Sequence, residues 1–388
     1  MKLKQIPEDF RVEEIPLIQI SSSKEKFRVY LLEKKNVETF SLLRYLAQRH
    51  HIPISAFGIA GLKDKHAWTK QFMTLPAQYT LKSMKHKEVT ITPMGYASLP
   101  LKPGRILGNR FEITVRGVAQ KELEGMQQRY HWVSEFGVPN YYDSQRFGSV
   151  INNTFIAKYV MKGDYEGAVR TYLTACYPHE RSGIKQEKRI IKENWNQLDK
   201  LHLRTKHLSL IIDEFRKTKN WRKAYLKIDP LSREMFFSSY QSSLWNECAK
   251  KALAQVMDKK RLIPVTYHLG WLLFVADPNA EELRCLPPTF KTISHGMKPT
   301  DFESGIINIV LKNEHIGLRD FDIQKQSGNF FKSHDRALMC KPREFKMSDP
   351  FIDELNDLGD KNIFKVIVSF ILPKGSYATL ITKALFYH

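Results

Sequence analysis

Ala60-Gly61-Leu62-Lys63-Asp64-Lys65-His66-Ala67-Trp68-Thr69-Lys70-Gln71 sets a single carboxylate between two lysines in a polar connection. On its near side, Ala56 to Gly61 reads as a short apolar strand closed by glycine; on its far side, Thr69 to Leu75 reads as a second strand. The stretch therefore predicts strand, glycine turn, strand, with Asp64 presented at a sheet edge. Flanking ammonium groups favour the ionised carboxylate, the state a nucleophile or general base needs near neutral pH. Gly61 is expected to supply backbone angles that expose the side chain. Spacing alone fits an ordinary charged surface turn as well.

Working outward, Phe27, Val29 and Leu31 alternate with polar residues and predict a strand with that face inward. Glu38 to Gln48 follows as a helix, with Leu42, Leu43 and Leu46 on one side. GNRFEITVRG predicts a strand from Gly108 with Phe111, Ile113 and Val115 on one face, whereas GVPNYYDSQRFG holds too many turn formers to be regular. Further on, Glu234 to Met257 carries Phe237, Tyr240, Leu244, Cys248 and Leu253 close to a helical stripe. Asp349 to Asp360 reads as an acidic loop, and VIVSFILPKGSYATLITKALF as a buried strand, a turn and a second apolar segment.

The 388 residues suggest two or three folding units, with a sizeable core from 42% apolar residues. A net charge of +20 predicts a polyanionic partner, nucleic acid ahead of a membrane. No apolar run approaches the ~20 residues of a membrane span, and MKLKQIPEDF has no signal-peptide core. Cys176, Cys248, Cys285 and Cys340 are scattered, so neither zinc nor a disulfide framework is expected, and a reducing, cytoplasmic setting is. The absence of Walker, GxGxxG and HExxH motifs leaves no cofactor or metal implied. Between Arg181 and Lys227, 14 Lys and Arg stand against 5 Asp and Glu, interleaved with Trp195, Phe215, Trp221 and Tyr225. That mixture is suited to phosphates and unpaired bases, although a solvated helix would show it too.

The whole Asp64 segment resembles the G-x-K-D-[KR]-x-A-x-T-x-Q string of the TruD family of tRNA pseudouridine synthases: Gly61, Lys63, Asp64, Lys65, Ala67, Thr69 and Gln71 all fall in place. Four more segments match in order: Lys4, Pro7, Glu8, Asp9, Phe10, Val12 and Glu14; GNRFEI; PNYYDSQRFG; and SFILPKGSYAT. YQSSLWN, from Tyr240 to Asn246, is similar to the family's S-x-L-x-N stretch. The resemblance implies an isomerase that converts one tRNA uridine, usually position 13, to pseudouridine without a cofactor, with Asp64 essential. It leaves open whether Asp64 attacks the sugar, attacks the base or abstracts a sugar proton.

By position, Phe111 corresponds to the aromatic that stacks on the flipped base, though it also fits a plain core site. Asn109 is placed to hydrogen-bond Asp64 or the base, and otherwise reads as a turn residue after Gly108. Lys4 corresponds to a counter-charge for Asp64, and Tyr377 to a pocket aromatic that reads equally as a turn residue packed on a strand end. Glu8 and Glu14 are expected to hold structure; Gln145 and Arg146 to order a loop over the site. The fold implied is α+β: a pseudouridine synthase core of mixed, largely antiparallel sheet with helices, from residues 1–150 and 340–388, plus an inserted α/β TRUD-type domain at 151–339, with tRNA taken into the cleft between them. A monomer with no obligate protein partner is expected. A non-catalytic RNA-binding or chaperone protein, and an Asp-dependent N-glycosidase, are the alternatives.

Overall fold

A computed structural model describes the chain except residues 179, 324–330, 358, 360–361 and 388. It divides into two compact units, Met1–Val138 with the stretch from Cys340 onward, and Pro139–Met339.

The first unit is built on a ten-stranded sheet. In chain order its strands and first helix are β1 (Phe10–Pro16), β2 (Phe27–Lys35), α1 (Thr39–His50), β3 (Gly58–Ile59), β4 (Trp68–Pro76), β5 (Met84–Lys85), β6 (Val89–Ala97) and β7 (Ile106–Ala119). Arg343–Met347, Phe351–Ile352 and Ile363–Pro373 complete it from the C-terminal part. Across the sheet the order is Arg343–Met347, Ile363–Pro373, β7, β1, β4, β2, β6, β5. Among the described residues of this sheet, β1 and β4 run parallel and the other pairings are antiparallel. The fold is α+β, as expected.

Alternation aims each strand. On β7, Phe111, Ile113 and Val115 are all buried. On β2 the expected face is only partly inward: Val29 is buried, but past an irregularity between Val29 and Tyr30 the buried face is Tyr30, Leu32 and Lys34, while Phe27 and Leu31 are only half-buried. The reason is α1, whose Leu42, Leu43 and Leu46 pack with Tyr30, Leu32, Met73 and Leu75 in one core cluster. A row of register partners crosses the sheet on this face: Lys34, Thr69, Val12, Phe111 and Phe370. One residue pair further along, Leu32 faces Gln71 and Asn109 faces both Glu14 and Leu372. The acidic stretch after Asp349 is loop interrupted by Phe351–Ile352, which pairs with Ile363–Pro373; Asp360 lies outside the described residues. The final apolar segment is a helix, Ala378–Phe386.

The second unit is mainly helical. Its longest helix, Pro230–Val256, starts with proline after Asp229, whose carboxylate accepts from the Leu231 and Ser232 amides at 3.0 Å each. Phe237, Tyr240, Leu244, Cys248 and Leu253 are buried along it. The non-regular stretch after Val138 belongs here because its backbone is held here. Asn246 accepts from the Tyr142 amide and donates to the Tyr142 carbonyl, both at 2.8 Å. The Arg336 guanidinium donates to the Asn140 carbonyl at 2.9 Å and to the Tyr141 carbonyl at 3.1 Å. Residues 139–150, expected in the first unit, thus group with the second.

Basic residues 181–227 form helices Ser182–Glu193, Lys206–Thr218 and Trp221–Leu226. Their aromatics do not await bases. Trp195 and Tyr225 are buried, Phe215 stacks on Trp221 with ring centroids 3.6 Å apart, and Trp195 stacks on Trp221 at 5.3 Å. Packing within the unit has claimed these rings, while Arg189, Lys192, Lys217 and Lys223 are exposed.

Candidate active site

The Gly61–Asp64 loop lies over the buried polar end of the sheet face, and each attachment uses a side chain from a different element. From β2, the Lys34 ammonium donates to the Asp64 carbonyl at 2.8 Å and the Lys63 carbonyl at 3.4 Å. At the start of α1, the Thr39 hydroxyl donates to the Lys63 carbonyl at 3.3 Å and accepts from the Lys63 amide at 3.4 Å. From β4, Gln71 donates to the Gly61 carbonyl at 3.3 Å. Lys63 itself reaches down to β1 and pairs with the buried Glu14 at 2.6 Å. Lys34, Thr39 and Gln71 are fully buried. Such groups are tolerated inside because each has a partner.

Gly61 does not act as expected. Its φ is not in the left-handed region, and a Cβ added there would meet nothing within 4 Å. The side chains beneath the loop set its course, not a glycine-only backbone angle.

The Asp64 carboxylate projects from this platform with its side chain 23% exposed. One oxygen takes an ion pair from the Lys4 ammonium, and the other accepts from the His66 amide at 3.1 Å. Burial alone would push the Asp64 carboxyl up; the hydrogen bond and charge of Lys4, with the His66 amide, outweigh it and hold the group below the usual carboxylate range. Lys4 has a left-handed backbone, φ 58°, and its ammonium lies 4.1 Å from the centre of the Phe10 ring. A non-glycine residue in that region is uncommon.

From Phe10 the site continues as an aromatic row. Phe10 meets Phe111 edge-on at 6.1 Å, and Phe111 lies 5.6 Å from Phe370. Phe111 is only 8% exposed, so packing within the sheet face is part of its work. Asn109, two residues earlier on the same face, makes no bond to Asp64: its Oδ1 is buried without a hydrogen-bond partner. Tyr377 is half-buried at the N-cap of the last helix, four residues past the strand end where Pro373 pairs with Gly108. The structure thus joins Lys4 and Asp64 directly, links Phe111 to them through Phe10, and puts Asn109 in the next pair along.

Both glutamates form ion pairs. Glu8 pairs with Lys35, and Glu14 with Lys63. Arg146 donates to the Ser242 hydroxyl at 3.0 Å within the second unit, and Gln145 is exposed.

A family model describing tRNA pseudouridine synthase D (TruD) matches residues 1–385. The chain belongs to the TruD family. A relative from Methanococcus maripaludis, named "Probable tRNA pseudouridine synthase D 1", is 36% identical over 394 residues that cover 100% of this chain and 99% of its own. The tRNA pseudouridine synthase D of Aquifex aeolicus is 28% identical over 397 residues, covering 100% and 98% of the two chains. A crystal structure bearing the TruD name, from Methanosarcina mazei, superimposes with a TM-score of 0.72 at 23% identity, covering 100% of this chain and 93% of that one; it supports the fold. Among the described residues, no helix is long and apolar enough to cross a membrane.

Membership of the TruD family does not by itself reveal Lys34 or Thr39, and the sequence reading passed over both. The signal for Lys34 was available: it follows Tyr30 and Leu32 at period two. The alternation of Phe27, Val29 and Leu31 obscures it, because the buried face changes phase after Val29.

Proposed function

We propose that this TruD-family isomerase converts a uridine in tRNA to pseudouridine with Asp64 as its essential carboxylate and Lys4 as the counter-charge that keeps it ionised. The observation that carries the reading is the Asp64 carboxylate, half-buried and held below the ordinary carboxylate range by Lys4 beside an aromatic row. The isomerisation breaks the bond from N1 of the base to the sugar, turns the base, and joins C5 to the same sugar carbon. C5 gives up its proton and N1 gains one, so no redox partner is needed. Attack on the sugar, attack on the base and sugar-proton abstraction all begin from an ionised carboxylate.

Reaching the base requires the nucleotide to leave its stack. In this reading Phe111 and Tyr377 line the pocket. The free Oδ1 of Asn109 accepts from the uracil N3–H, which would otherwise be a desolvated donor. Phe111 cannot transfer protons, so the C5 proton leaves to water or another group. Residues 1–138 and those from 340 onward make up the catalytic core in this proposal, and 139–339 the inserted TRUD-type domain. The target is uridine 13, in the D arm, and the protein works as a cytoplasmic monomer without a cofactor.

The test is incubation with total tRNA from cells lacking the enzyme, followed by mapping of new modifications. Pseudouridine at position 13 is the expected product. Free uracil would indicate a glycosidase, and unchanged uridine a binding protein; either would reject the proposal.

A further inference from the structure

We infer that the outward face of α1 is a seat for unpaired nucleotides of the tRNA strand adjoining the target uridine; this rests on the reading of Asp64 given above. Thr39–His50 contains no Asp or Glu. The acid at its start, Glu38, is occupied in capping the helix, accepting from the Phe40 and Ser41 amides at 2.8 and 2.6 Å. With Leu42, Leu43 and Leu46 turned to the core, the opposite side presents two parallel stacks. Arg44 lies over the Phe40 ring at 4.5 Å along one edge. Along the other edge, Arg49 lies 5.9 Å from the Tyr45 ring and donates to its hydroxyl at 2.8 Å.

Phe40 and Tyr45 are 41% and 47% exposed. Among the described residues, the only other aromatics in that class of exposed large side chains are Trp271 and Phe351. Two of four on one short helix, each with a guanidinium one turn away, is the chemistry of single-stranded RNA: rings take base faces without sequence preference, and arginines take phosphates. Continuity with the candidate active site comes from Thr39, the first residue of α1, which exchanges hydrogen bonds with Lys63 beside Asp64. Leu62, 66% exposed on that same loop, extends the apolar surface toward the helix start. At 1.5 Å per residue the helix spans ~18 Å, the reach of a few nucleotides.

The experiment uses the full chain and an unmodified tRNA transcript, with dissociation constants measured by fluorescence anisotropy at several salt concentrations and single-turnover rates at saturating protein. Phe40→Ala/Tyr45→Ala should weaken binding at least about tenfold, in line with loss of one or two stacked bases, while the saturated rate stays within about twofold of wild type. Arg44→Gln/Arg49→Gln should lower the slope of log K against log salt by about one to two. All four side chains are largely on the surface, and melting temperatures of both variants should match wild type. Wild-type affinity and salt slope in both variants would overturn the inference, as would weaker binding confined to a ring variant that melts early. Asp64→Asn, run in parallel, separates the two readings: pseudouridine formed by that variant at the wild-type rate would reject the role of Asp64, while the α1 variants would still decide the binding surface.

Discussion

Lys34 brings a charge into the interior of the sheet with no carboxylate within ion-pairing distance among the described residues; its ammonium instead holds two carbonyls of the Asp64 loop. Burial lowers its pKa to about 8, with the Asp64 and Glu38 carboxylates opposing that shift and Lys63 adding to it. The folded value lies below the unfolded one, so the unfolded chain binds more protons between about pH 8 and the ordinary lysine value, and folding stability rises with pH across that interval. Activity should move the other way, since loss of this charge weakens the ammonium's hold on the Lys63 and Asp64 carbonyls that fix the loop carrying the carboxylate. Single-turnover rates across pH 6 to 10 are expected to fall through an inflection near 8 in the wild type. In Lys34→Met the rate should be lower by roughly tenfold or more, because two buried carbonyls lose a donor, and the inflection should be gone. An inflection of unchanged position in the variant would contradict this role. Lys34 was legible in principle and hidden by the change of phase after Val29. Lys4 and Asp64 were legible because their segments carry unusual combinations of charge, glycine and aromatic residues. The free Oδ1 of Asn109 was not, because hydrogen-bond satisfaction depends on neighbours from other strands.

Between elements, the glycine that matters is not the one next to Asp64. Gly108 on β7 pairs with Pro373, and a Cβ there would sit 2.1 Å from the Leu372 carbonyl oxygen. The two strands approach too closely for any side chain at that point. Gly61 has open space. Gly108→Ala should therefore destabilise by at least ~1–3 kcal/mol through overpacking against backbone, and Gly61→Ala should change stability by no more than about 1 kcal/mol. Denaturant unfolding of the two variants measures this; equal effects would mean the β7 pairing is not as described. Periodicity was enough for α1, the long helix Pro230–Val256, β2, β4, the Phe111 face of β7 and Ile363–Pro373, but not for β1, β6 or the helix Asp301–Asn313. Partnership between β7 and Ile363–Pro373 could not be read this way, since the two are separated by the entire second unit. Neither could the stacking of Phe215, Trp195 and Trp221, as composition shows which rings are present and not what covers them.

Across the whole first unit, Arg116 ties the two ends of the chain segment together. Its guanidinium donates to Asp9 at 2.7 Å and to Asp353 at 2.8 Å, with all three side chains buried. Asp353 further accepts from the Gly117 amide at 2.8 Å. Arg116→Ala would leave two carboxylates buried without their cation, an expected loss of ~3–5 kcal/mol, read as a lower denaturation midpoint; a loss below about 1 kcal/mol would show the network to be dispensable. At this scale composition was informative in a different way. The +20 net charge pointed to a polyanion before any motif was read, and it agrees with the TruD family's substrate. What the charge could not locate was the chemistry, which rests on one carboxylate. The most direct measurement is a single-turnover assay of Asp64→Asn on tRNA that the wild type modifies, with binding and melting followed alongside. The account predicts unchanged tRNA affinity, a melting temperature within a few degrees, and pseudouridine formation slower by at least about a thousandfold. Wild-type yield of pseudouridine from that variant would contradict it.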